Sequence, residues 1–132
     1  MPMIDAGRVA PMPSLPVCDI AGARPETRRM ADLPKPVHDA LLAAVGRPVA
    51  EAGAPFNGSD VVSPESPPGV RFLRAYRVRG LWLVWVEVGG IGHRFHLFAF
   101  RDAGKGAIVA VPVPRDASRN LCTASQAMAA KG

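Results

Sequence analysis

Long apolar runs are missing from this chain of 132 residues. None reaches the roughly 18 residues that a membrane-crossing helix needs, so no such helix is expected. Residues 1–17, "MPMIDAGRVAPMPSLPV", are broken by proline and aspartate and hold no secretory leader. The expected location is therefore cytoplasmic by default, or periplasmic or secreted if a leader precedes the chain. Cysteine is scarce: Cys18 and Cys122 stand near opposite ends, without CxxC spacing or a neighbouring histidine, which argues against a zinc site. Nucleophile motifs of the GxSxG kind are absent. Glu87 is the lone acid between residues 71 and 101, so no carboxylate pair for acid–base work is expected there. His93 and His96 lie three apart on a strand and point to opposite faces, so they cannot share an ion. "GGIG" at 89–92 joins two strands and opens no helix, which removes a dinucleotide reading. No metal or cofactor is expected.

Lysine is also rare, three against thirteen arginines, and net charge is +5. Such a balance favours acidic partners, although an arginine-for-lysine bias across an Ala/Gly/Pro/Val-rich chain needs no functional cause. The charge is concentrated: residues 71–101 hold six arginines and one acid. With 48% apolar and 20% charged residues, the chain reads as one globular domain able to bury roughly two-thirds of its unfolded surface.

Residues 1–34 are proline-rich and without periodicity, an extended or flexible arm. "KPVHDALLAAVG" predicts a helix over about 36–45, with Pro36 in the first turn, Gly46 past the end and Val37, Leu41, Ala44 and Val45 at helical spacing. Turn chemistry fills 47–69, with room for a short strand at Val61–Val62. Four strands follow, at about 70–78, 81–88, 91–101 and 107–113, joined by short glycine-containing turns. The expected fold is α+β: one short N-terminal helix packed on a four-stranded antiparallel meander sheet. The divisions are an arm over 1–34, an α+β domain over 35–114 and a C-terminal tail over 115–132 with the composition of a short helix. The order of helix and meander also resembles cystatin-like scaffolds, in topology and without a shared motif.

Two-residue turns at Arg79-Gly80 and Gly89-Gly90 would pair Arg74 with Trp85 and Trp85 with Arg94. Alternation then puts Leu73, Ala75, Trp82, Val84, Val86, Val88, Ile91, Phe95, Leu97, Val109, Val111 and Val113 on one face, toward the helix. Arg71, Arg77 and His93 interrupt that face. The opposite face carries Phe72, Arg74, Tyr76, Leu83, Trp85, Glu87, Arg94, His96, Phe98 and Phe100. A one-residue slip would exchange the faces and set Arg94 and His96 against the helix. Phe72, Arg74, Tyr76, Trp85, Glu87, Arg94 and His96 form the candidate binding face, since aromatic and arginine side chains are common interface anchors.

The reading that follows is a small non-enzymatic interaction protein, using this face and its arm to dock on a protein partner or on a second copy. The alternatives are a single-stranded nucleic-acid module that stacks bases on the sheet, and a small enzyme with a pocket between helix and sheet that uses His93 or His38 as base. Cys18 and Cys122 could close a loop of about 100 residues, worth about 4–5 kcal/mol in the chain-entropy model. In a reducing compartment they would stay free.

Overall fold

The computed structural model describes residues 11–58, 65–90 and 93–131. The strand expected at Val61–Val62, residues 1–10 of the arm and Ile91 lie outside them. The elements are α1 (Lys35–Val45), β1 (Val70–Val78), β2 (Leu81–Val88), β3 (Arg94–Asp102), β4 (Ile108–Val111) and α2 (Leu121–Lys131). The strands form one antiparallel sheet in the order β1-β2-β3-β4, giving the α+β fold. No helix among the described residues is long and apolar enough to cross a membrane.

α1 begins at Pro34 and ends at Gly46, whose left-handed φ of 77° lets its N–H bond to the Leu42 carbonyl at 2.9 Å. It buries Val37 and Leu41, one turn apart, against Phe72, Ala75, Trp82, Val84, Val86 and Phe100. The tail forms α2, whose start is capped where Asn120 Oδ1 accepts the Thr123 N–H at 2.9 Å. Leu121, Ala124, Ser125, Met128 and Ala129 make its buried stripe, packed on the other side of the sheet against Leu83, Trp85, Leu97 and Ala99. The sheet is therefore covered on both faces.

The arm is part of this cover. Thr27 and Ala75 exchange backbone hydrogen bonds at 2.8 and 2.9 Å, and the Arg24 N–H donates to the Arg77 carbonyl at 2.9 Å, so the arm pairs along the outer edge of β1. Upstream, Cys18 and Ile20 join the α2-side core, and Cys18 is disulfide-bonded to Cys122.

Two irregularities set the faces, and both depart from the expected register. In β1 the pairing shifts between Phe72 and Arg74, where Leu73 bulges. Beyond the bulge Arg74 still opposes Trp85 as expected, but Phe72 turns under α1 and Leu73 joins the α2 side. Between β2 and β3, Val88 opposes Arg94 and Trp85 opposes Leu97, an odd displacement from the register of a two-residue turn. Arg94, His96, Phe98 and Phe100 consequently lie on the α1 side, while Phe95, Leu97, Val111 and Val113 lie on the α2 side. Gly89 explains the shift. It is a site of close backbone approach rather than a turn residue: its N–H bonds to the Gly69 carbonyl at 2.9 Å, and a Cβ there would collide with the Asn57 carbonyl and stand 2.8 Å from Gly58 Cα.

Gly89→Ala should force the 57–58 segment away and lower stability by about 1–3 kcal/mol. Gly80→Ala, at a turn glycine where a Cβ finds only ordinary contacts of 3.8 Å or more, should change it by less than about 0.5 kcal/mol. Urea unfolding of both variants checks this; equal losses would refute the account of the register.

Candidate ligand-binding cleft

The seven residues of the expected face are divided among four surroundings. Phe72 is fully buried beneath α1. Arg74, Tyr76 and Trp85 lie beneath the arm and α2. Glu87 belongs to a buried ion network. Arg94 and His96 line a cleft on the opposite side of the sheet. The single mixed face therefore does not exist, because the β2–β3 register carries its last two members away from the rest.

Trp85 is 1% exposed, and its indole N–H donates to Ser125 Oγ on α2 at 2.9 Å. The Arg74 guanidinium stands 5.3 Å from the Trp85 ring centroid, and the Tyr76 ring is 5.4 Å away. Arg74 also donates to the Pro16 carbonyl at 3.2 Å and pairs with Glu26 at 3.2 Å, while the Tyr76 hydroxyl bonds to Glu26 at 3.3 Å. Burial pushes the Tyr76 phenol above its ordinary value, against the opposing effect of Arg74. A groove of about 640 Å³ runs between the two passes of the arm here. Its charges are largely satisfied within the chain, since Glu26 takes both Arg74 and Arg28.

Sequence reasoning missed the most buried charges. Arg71 is fully buried and Glu87 is 3% exposed, and they oppose each other across β1 and β2. Arg71 Nε donates to Glu87 Oε1 at 2.6 Å, Nη1 to the Ala54 carbonyl at 3.2 Å and Nη2 to the Pro11 carbonyl at 3.0 Å. The guanidinium rests 4.8 Å from the Phe56 ring centroid. His93, exposed at the start of β3, places Nε2 at 3.0 Å from Glu87 Oε2. The signal was present: Arg71 and His93 were the polar interruptions of the supposed core face. A corrected register moves both to the side of the sheet where Glu87 waits.

The cleft on the α1 side has about 170 Å³ and is lined by Val45 and Arg47 at the end of α1, Val70 and Val88, and Arg94, His96 and Phe98 on β3. His96, Phe98 and Phe100 follow one another along the strand face, with ring centroids 4.5 and 6.4 Å apart. Arg71, Arg74 and Arg77 are each stacked on an aromatic ring. Arg47 and Arg94 have no stacking, hydrogen-bond or ion-pair partner among the described residues and stand exposed. The C-terminal end of α1 contributes roughly half a negative charge, which two guanidiniums outweigh. Burial, and then the charge on Arg94, hold His96 below its ordinary value. Chemically, the cleft can hold an anionic group between two guanidiniums beside aromatic rings. Among the described residues no group of three or more His, Cys, Asp or Glu side chains could hold a metal ion.

Comparison with protein families, curated proteins and solved structures finds no match to this chain.

Because folding lowers the His96 pKa, the unfolded chain binds the proton more readily. The stability tied to His96 is thus complete above about pH 6.5 and is lost as pH falls through the lower folded value. An NMR titration should find His96 below 6.5, and Arg94→Gln should move it upward; no movement would show that Arg94 does not act on the ring.

Proposed function

We propose that this chain is a small non-enzymatic binding protein that docks an acidic segment of a protein partner in the Arg47–Arg94–His96 cleft, with the Phe98 ring beside it. The observation that supports this is the contrast among the arginines. Those on β1 are engaged within the fold, whereas Arg47 and Arg94 converge from different elements on one cleft and are left uncompensated. The described residues of the arm fold back on the chain's own sheet. The adjacent rings of His96 and Phe98 in the cleft give some support to a second reading, stacking of single-stranded nucleic acid. A catalytic reading draws no support from the clefts described above, which neither His38 nor His93 lines.

Fluorescence anisotropy with a glutamate-rich peptide should detect binding that the double variant Arg47→Ala/Arg94→Ala weakens at least tenfold, with its unfolding curve unchanged. Each charge-assisted hydrogen bond lost is worth about 1.5–3 kcal/mol, and 1.4 kcal/mol is tenfold. A deoxythymidine oligonucleotide is the comparison. If it binds with a steep salt dependence and the peptide does not, the second reading replaces the first; binding of neither removes both.

A further inference from the structure

We propose that the Cys18–Cys122 disulfide is a thiol-exchange site, through which a dithiol reductant releases the arm from the face that holds Trp85.

The position of the bond suggests exchange in the folded state. Cys18 lines the arm groove of about 640 Å³, and Cys122 lines a separate cleft of about 250 Å³ that also reaches Trp85. Cys18 itself is 8% exposed and Cys122 is half-buried, so a thiolate reaches the bond only through these clefts. The chain around Cys18 has no regular structure, and its neighbour Val17 is 94% exposed, so this part of the arm belongs to the low-stability end of the fold.

The two sulfurs are also unequal. Cys122 sits in the first turn of α2, where the helix dipole favours a thiolate, and Arg119 lines the same cleft. Cys18 has no helix behind it. Since the better-stabilised thiolate leaves faster, attack falls on Cys18. A thiolate of the reductant bonds to Cys18 Sγ, the Cys18–Cys122 bond breaks, and the electron pair departs on Cys122 Sγ. The second thiol of the reductant gives up its proton and attacks the reductant sulfur of the mixed disulfide, releasing Cys18. The dithiol is oxidised to a disulfide by two electrons, and the protein gains two thiols.

The opening that follows is local. Between Pro11 and Gly22, which has φ of 80°, the side-chain bonds that tie the arm to the rest of the chain are single ones, from Arg71 to Pro11, Gly53 to Met12, Arg74 to Pro16 and Gln126 to Asp19. Downstream, the ladder from Arg24 to Thr27 on β1 does not depend on the disulfide.

The test uses the intact oxidised protein and glutathione as a monothiol probe, without denaturant, followed by quenching with iodoacetamide and peptide mass spectrometry. Glutathione on Cys18 with an alkylated Cys122, formed faster than global unfolding, supports the proposal. Glutathione on Cys122, or no adduct until the protein unfolds, overturns it. After reduction with dithiothreitol, amide exchange should rise at least tenfold over 11–21 and stay within about twofold at Thr27 and Ala75. An equal rise at all these sites would mean general loosening and would also overturn it.

Discussion

The buried pair of Arg71 and Glu87 is the constraint around which the rest of the fold is arranged. Removing two charges from water costs several kcal/mol per ion, and close geometry with further hydrogen bonds is needed to offset it. Here those bonds come from distant parts of the chain: the carbonyls of Pro11 and Ala54, the face of Phe56 and the ring of His93. One guanidinium thereby ties the arm, the segment after α1 and the first two strands together. Loss of either partner would leave the other charged and buried. An apolar pair of equal volume often does as well energetically, so the pair is no measure of net stability, whereas breaking it is costly.

The same pair fixes which residues face which way. Arg71 reaches Glu87 on the α2 side only because β1 bulges at Leu73. Without the bulge, strict alternation from Arg74 would turn Arg71 toward α1 and put Phe72 opposite it. Gly89 acts likewise at the far end of β2, where contact with the 57–58 segment replaces a tight hairpin. Both irregularities are cooperative with tertiary contacts, and neither has a local cause within its own strand.

This explains what was legible in the sequence. α1 was, because Pro36, Gly46 and the Val37–Leu41 spacing are local signals. So were the four strands, the Arg79-Gly80 reversal and the packing of Val84 and Val86 beneath α1, since period-two alternation within β2 needs nothing beyond β2 itself. The face of β3 was not. It depends on the number of residues between Val88 and its partner, and Gly89-Gly90 looks like a hairpin turn whether or not another backbone lies against it. The alternative register sets Arg94 and His96 toward the helix, which alternation alone makes look unfavourable. In the structure Arg94 is exposed and His96 is half-buried in the cleft beside the end of α1, so the guanidinium is not buried against the helix.

The second cover follows from composition. Leu83, Trp85 and Leu97 make the α2 side of the sheet as apolar as the other, so a chain of this size has two faces to bury and only short helices to do it. α2 alone, with alanine at much of its stripe, leaves part of Trp85 to be covered by residues 14–18, and the disulfide joins these two partial covers. Charge density is accordingly a poor guide to where a ligand binds. Half of the six arginines of residues 71–101 lie on β1, where they seal core edges by stacking on Phe56, Trp82 and Trp85. An arginine informs about ligands only once the aromatic and acidic groups that could satisfy it internally have been assigned, and by that criterion Arg47, which lies outside the basic stretch, weighs as much as Arg94 within it.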